Sequence, residues 1–203
     1  MARRIAASPV LRQIGLGWTI ATFVLGVVLA VQVPLLIGTF DASPAVVGLL
    51  LGLDALGLVF GSLFGGSRRF GRVAYPASLA GIGACTVIVG AAPDLALAAA
   101  GFALLGIFNG IAIVLNRTRV VRETEPAERA QVISFLISLS VSGQALGTVV
   151  GGLVATAASP RWAFVSAGLG ALVLAAPIAH SVGPPAEWEL RPSPWLENDK
   201  QRR

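Results

Sequence analysis

The sequence predicts an all-α membrane protein with six transmembrane helices, arranged as a three-plus-three inverted-topology repeat. Three observations carry that reading. Six long apolar runs fill residues 14–38, 45–66, 73–92, 95–116, 131–157 and 161–182. Each is near the ~20 residues a helix needs to cross a hydrocarbon core. The basic residues alternate in step with the runs, and landmarks in the first three runs recur in the last three.

Composition sets the solvent. Of 203 residues, 55% are hydrophobic and only 12% charged, and the mean hydropathy is +0.80. A soluble domain carries about a quarter charged residues. The 24 glycines would weaken helices in water, but in lipid small residues let helix backbones approach closely. The runs are too long for barrel strands and lack period-two alternation. Cys85 is the one cysteine, so no intrachain disulfide forms and no oxidising compartment is implied.

Charge sets the topology. Arg3, Arg4 and Arg12 precede the first run, and Arg68, Arg69 and Arg72 lie between the second and third. Arg117, Arg119, Arg122 and Arg129 lie between the fourth and fifth, and Arg191, Lys200, Arg202 and Arg203 follow the sixth. Only Arg161 falls on the other side. Cytoplasmic loops hold the excess of Lys and Arg, so both termini are expected in the cytoplasm of a cell (inner) membrane protein. The net charge of +5 is thereby assigned to topology and anionic lipid, not to nucleic acid.

The elements follow in order. Residues 1–13 form a basic lead. The first run is too long for a signal-peptide core and further spans follow it, so it is read as a retained helix; Pro34 can kink its outer third. Asp41, Ser43 and Pro44 stop it and start the second helix, as Pro93 and Asp94 do between the third and fourth. Ser159 and Pro160 part the fifth from the sixth, where Trp162 sits at an interface. His180 closes the sixth. From Gly183 to residue 203 the chain turns Pro-rich and charged and reads as an irregular cytoplasmic tail.

The second helix carries Gly57, Gly61 and Gly65, and the fifth carries Gly143, Gly147 and Gly151. The third opens with Arg72-Val73-Ala74-Tyr75 and the sixth with Arg161-Trp162-Ala163-Phe164. Three spans are an odd number, so the second copy enters the membrane from the opposite side. That is the building plan of many secondary transporters.

Asp54 is the sharpest residue. It lies near the centre of the second helix, where a carboxylate costs roughly 2.5–3.5 kcal/mol on insertion scales. It is either a site of proton or cation coupling or an acid hydrogen-bonded at a wet interface. Gln32, Asn109 and Gln144 are the amides at depth, read as cavity-lining candidates or as interhelical glue. All four fall on helices 1, 2, 4 and 5. Helices 3 and 6 carry none at depth and are expected to face lipid. No metal-ligand cluster, phosphate-binding loop or Ser/His/Asp set is present at membrane depth. No enzyme, metal or cofactor is expected.

The loop Gly65-Gly66-Ser67-Arg68-Arg69-Phe70-Gly71-Arg72 resembles the basic 2–3 loop of the major facilitator superfamily, without its acidic residue. The segment Pro126 to Ser134, running into the glycines of the fifth helix, resembles a junction in that superfamily's drug and siderophore exporters, as does Pro192-Ser193-Pro194-Trp195. The resemblance implies the carboxy-terminal six-helix half of such a transporter. Helices 1 and 4 would line a central cavity, helices 2 and 5 would meet a second half, and helices 3 and 6 would brace the outside. Arg68, Arg69, Gly71 and Arg72 would sit at the cytoplasmic gate. The implied activity is proton-coupled efflux of small amphipathic compounds by alternating access. The partners are the bilayer, a small-molecule substrate and a second six-helix half, supplied by a separate chain, a missing segment or a homodimer. The alternative is a non-transporting, truncated membrane protein or an assembly or regulatory partner.

Overall fold

The computed structural model describes residues 9–65 and 74–180. Every element among them is a helix: α1 Pro9–Phe40, α2 Pro44–Gly65, α3 Ala74–Ala91, α4 Leu95–Glu123, α5 Pro126–Ala157 and α6 Pro160–His180. The five helices α1 to α5 are long and apolar enough to cross a membrane, and α6, of 21 residues, runs back along α3. The loop expected to serve as a cytoplasmic gate, with Arg68, Arg69, Gly71 and Arg72, and the tail lie outside the described residues.

The turn chemistry explains the boundaries. Asp41 takes a left-handed conformation (φ 50°), which Asp tolerates better than most residues, and the Ala42 N–H returns to the Leu36 carbonyl at 3.1 Å. This bond, reaching six residues back, satisfies a carbonyl in the last turn of α1. Asp94 caps α4 by accepting the Leu97 N–H at 2.8 Å, and Ser159 caps α6 by accepting the Trp162 N–H at 3.3 Å. α1 stays helical through Pro34.

One connection is shorter than the hydropathy implies. The apolar run ends at 116, yet α4 continues to Glu123 and α5 starts at Pro126. Outside the hydrocarbon a helix no longer needs apolar side chains, and Arg and Glu are good helix formers. Pro126 suits a first helical turn, and Arg129 Nη2 donates to the Val121 carbonyl at 3.1 Å, occupying an acceptor at the end of α4.

The helices pack as three principal pairs: α2 on α4, α1 on α5, and α3 on α6. The first two pairs are parallel and joined at glycine. A Cβ on Gly57 would meet the Ala103 carbonyl, one on Gly61 the Ile107 carbonyl, and one on Gly65 the Ile111 backbone. In the other pair Gly143 meets Thr19, Gly147 the Phe23 carbonyl and Gly151 the Val27 backbone. Ala103, Ile107 and Ile111 are spaced like Thr19, Phe23 and Val27. The seams are reciprocal: Gly110 lies against Leu58 and Ser62, and Gly26 against Gln144 and Thr148. The two interfaces therefore repeat position by position. Each takes a helix from each repeat, so neither three-helix repeat is a separate packing unit.

The third pair is antiparallel, with Gly83 and Gly168 in mutual contact at the crossing and Gly90 against Arg161 and Phe164. Its residues correct the expectation that helix 3 faces lipid. Tyr75, Leu79, Ile82, Cys85 and Val89 are buried, because α3 is walled by α6, α4 and α1. Its buried hydroxyls are satisfied locally, Ser78 to the Tyr75 carbonyl at 2.7 Å and Thr86 to the Ile82 carbonyl at 2.8 Å. At the end away from the arginine-rich connections, Arg161 Nη1 donates to the Ala92 carbonyl at 2.7 Å and the Gly90 carbonyl at 3.4 Å. Its guanidinium also lies 5.1 Å from the centre of the Phe40 ring. One side chain thus closes the end of α3 and ties it to α1 and α6.

Three outcomes follow for thermal unfolding of the purified protein in detergent. Gly147→Leu should destabilise by about 2–3 kcal/mol through overpacking, and Gly61→Leu should match it. Gly52→Ala and Gly152→Ala, where a Cβ meets nothing within 4 Å, should leave the midpoint within about 1 °C. Arg161→Met should lower stability by about 1–2 kcal/mol, read in the same assay.

Candidate functional site

The packing order places four helices in one row. α1 touches α4, α2 seats on the far side of α4, and α5 seats on the far side of α1. The row therefore reads α2, α4, α1, α5. α3 and α6 form a second layer behind its middle, touching α4 and α1. All four polar residues singled out from the sequence are in the row, and each is partly buried.

Asp54 shares the face of α2 that carries Leu50, Gly57 and Gly61, by the i, i+3, i+4, i+7 register. That face is the one seated on α4, and the Asp54 carbonyl is the group that Gly106 accommodates. Asn109 lies one turn beyond Gly106 on α4, so Asp54 and Asn109 belong to one stretch of the α2–α4 seam. Gln144 lies on the α1–α5 seam, one turn beyond the position that matches Asp54. Its carbonyl faces Gly26 and accepts the Thr148 hydroxyl at 3.0 Å, a hydroxyl that also reaches the Gly26 carbonyl at 3.3 Å. Gln32 is six residues beyond Gly26 on α1, roughly 9 Å along the axis. Among the described residues, no hydrogen bond joins any two of Gln32, Asp54, Asn109 and Gln144. The structure brings them into one row of helices, not into one bonded cluster.

The outer members of the row carry bare apolar surface. Leu56, Phe60, Leu63 and Phe64 on α2 and Ile137, Val141, Leu146, Val149 and Leu153 on α5 are all exposed. On α5 this surface is interleaved with exposed Gln131, Ser134, Ser138 and Ser142, which share one face. Ser138 and Ser142 return their hydroxyls to the carbonyls of Ser134 (3.0 Å) and Ser138 (2.9 Å), so each keeps its oxygen lone pairs for an incoming donor. The sequence showed these serines at the right spacing, but serine is too common in membrane helices to single out.

A second polar group was missed. Tyr75, in the first turn of α3, is completely buried. Its hydroxyl donates to the Ile14 carbonyl of α1 at 3.3 Å, and the Asn116 side chain of α4 lies beside the same hydroxyl. The Arg119 guanidinium stands 4.7 Å from the centre of the ring. Asn116 is 2% exposed, and its Oδ1 finds no hydrogen-bond partner among the described residues. Tyr75 is the only tyrosine in the chain, which was the available signal. The described residues hold no group of three or more His, Cys, Asp or Glu able to bind a metal.

The six-helix arrangement recurs among solved structures. The chain superposes on a bacterial homologue of the human lysosomal transporter Spinster, determined in an inward-facing and unoccupied conformation, with a TM-score of 0.67 and 17% identity. The match covers 88% of this chain and 47% of that one; the chain spans about half the length of the transporter it superposes on. No curated protein matches it in sequence. The profile of the Major Facilitator Superfamily matches residues 14–201. A six-helix inverted repeat with this packing, and a family match running from the first helix into the tail, place the chain in the major facilitator superfamily of membrane transporters.

Proposed function

We propose that the chain is one six-helix half of a secondary transporter. In this reading it exports small amphipathic compounds in exchange for protons by alternating access. The arginine excess supports placing both ends in the cytoplasm of a cell (inner) membrane. Asp54 takes and releases the proton. Gln32, Asn109 and Gln144 line the path, and Arg68, Arg69, Gly71 and Arg72 serve the cytoplasmic gate. The glycines at 57, 61, 65, 143, 147 and 151 hold α2 and α5 on the cavity helices. The exporter branch rests on the Pro126–Ser134 and Pro192–Trp195 resemblances, and the carboxy-terminal position on those and the basic loop.

The observation that carries the reading is the row α2, α4, α1, α5. It places every strongly polar residue at depth in one layer and ends in helices whose outer faces are unpartnered. A second bundle against that layer encloses a polar path between two apolar rims. Rocking of the two bundles then exposes the path to either side, with no cofactor required. An acid in that path, out of bulk water, is a natural proton carrier.

In proteoliposomes holding the assembled transporter, an imposed pH gradient should drive ethidium flux, reported with an entrapped pH dye. Asp54→Asn should reduce gradient-driven flux at least ~10-fold while leaving ethidium binding within about twofold, since the amide keeps the shape and loses the proton. Unchanged flux would remove Asp54 from the coupling role. A native-mass measurement should find two six-helix bundles in each active particle. Transport by a single six-helix chain would contradict the two-half arrangement, and no flux from any assembly would favour a non-transporting partner.

A further inference from the structure

The inverted repeat allows the two ends of the bundle to be compared residue by residue, and they differ. At the arginine-rich end the aromatic of the first turn of α3 is Tyr75; at the opposite end its counterpart in α6 is Phe164. Both are fully buried. Tyr75 donates to the α1 backbone, stands beside Asn116 and lies beneath Arg119. Phe164 meets only another ring edge-on among the ring contacts described, Phe102 at 6.2 Å and 80°. The seams align α1 with α4 through pairs such as Phe23 with Ile107 and Gly26 with Gly110. On that alignment the positions matching Asn116 and Arg119 are Gln32 and Leu35. The polar triad at one end is therefore a Phe, Gln and Leu set at the other.

The backbones differ in the same sense. α1 and α3 approach each other directly, whereas their counterparts α4 and α6 have no backbone contact among the described residues. Gly17 makes the approach possible, because a Cβ there would collide with the Tyr75 hydroxyl and Leu79. One side chain thus holds α1 and α4, helices from different repeats, against α3. A hydroxyl hydrogen bond and a ring beneath a guanidinium are directional, and in a low-dielectric setting they are costly to break. The Phe164 contact is dispersion alone and tolerates sliding.

We infer that Tyr75, Asn116 and Arg119 form a latch pinning α1 and α4 to α3 at the arginine-rich end. The apolar counterpart around Phe164 leaves α4 free to shift against α6 at the other end, so movement of α4 against the α3–α6 layer pivots at Tyr75. The latch is a property of the six-helix bundle and does not depend on transport. Arg161 limits how α6 and α3 part at the far end, but it contacts the α1 end through the Phe40 ring only and does not hold α4.

Hydrogen–deuterium exchange of the full chain in lipid nanodiscs tests this with Tyr75→Phe, which removes one oxygen and keeps the ring. Opening rates in residues 11–18, 74–80 and 112–119 should rise about tenfold, while residues 98–104 and 160–168 change less than twofold. Asn116→Leu should act at the same end, and Phe164→Tyr should slow neither end. Both variants at Tyr75 and Asn116 leave helix packing volume nearly unchanged, so either can be read if the other is poorly folded. A response below twofold at residues 74–80 in the readable variants, or an equal response at both ends, would overturn the latch. A general loss of stability would move both ends together, which separates this role from a merely structural one.

Discussion

Backbone contact at glycine is the interaction on which the remaining structure depends. In lipid there is little hydrophobic gain in bringing two apolar helices together, because the tails are as apolar as the side chains. What holds α2 to α4 and α1 to α5 is close packing, and that needs positions with no Cβ. Gly57 and Gly61 receive carbonyls of α4, and Gly106 and Gly110 receive carbonyls of α2. The same exchange joins α5 to α1. These seams cross the boundary between repeats, so the bundle forms as one unit. They also fix the row α2, α4, α1, α5, and the row in turn fixes where Gln32, Asp54, Asn109 and Gln144 lie.

The second layer has a different logic. α3 is the most enclosed helix, and it is held by side chains at its two ends as well as by packing. Arg161 closes one end by donating to two carbonyls, and Tyr75 anchors the other to α1 and α4. Between them the layer is apolar and its hydroxyls bond within their own helix. Such a layer supports the row without competing for the polar chemistry that the row carries.

Much of this was legible in the residues, for physical reasons that can be named. The six apolar runs and the arginine alternation are imposed by the bilayer on any sequence that spans it. The triplets Gly57-Gly61-Gly65 and Gly143-Gly147-Gly151 were visible because they recur every turn. Gly26 was not, since an isolated glycine in a membrane helix carries no pattern, and Gly106 and Gly110 repeat the spacing only once. Helix 3 was read as facing lipid because an apolar side chain is equally suited to lipid and to a protein core; only packing tells them apart. The depth of Asp54 could be counted along its helix, but its place on the seam face with α4 required the tertiary contact. Tyr75 was visible as a lone tyrosine, whereas Asn116 and Arg119 fell at the edge of an apolar run and looked like ordinary interface residues.

The most direct test concerns the parallel pairing of helices from different repeats. A Cβ built on Gly143 would lie 3.1 Å from the Thr22 side-chain oxygen, close to the spacing between one Cβ and the far sulfur of a disulfide. Thr22→Cys with Gly143→Cys, in a Cys85→Ala background, should therefore form an intrachain disulfide under mild oxidation in native membranes. Thr22→Cys with Gly152→Cys, on the open face of α5, should stay reduced. A disulfide in the first pair and none in the second is the result the packing predicts. Two free thiols in the first pair, in protein that is otherwise folded, would contradict the seam and the row built on it.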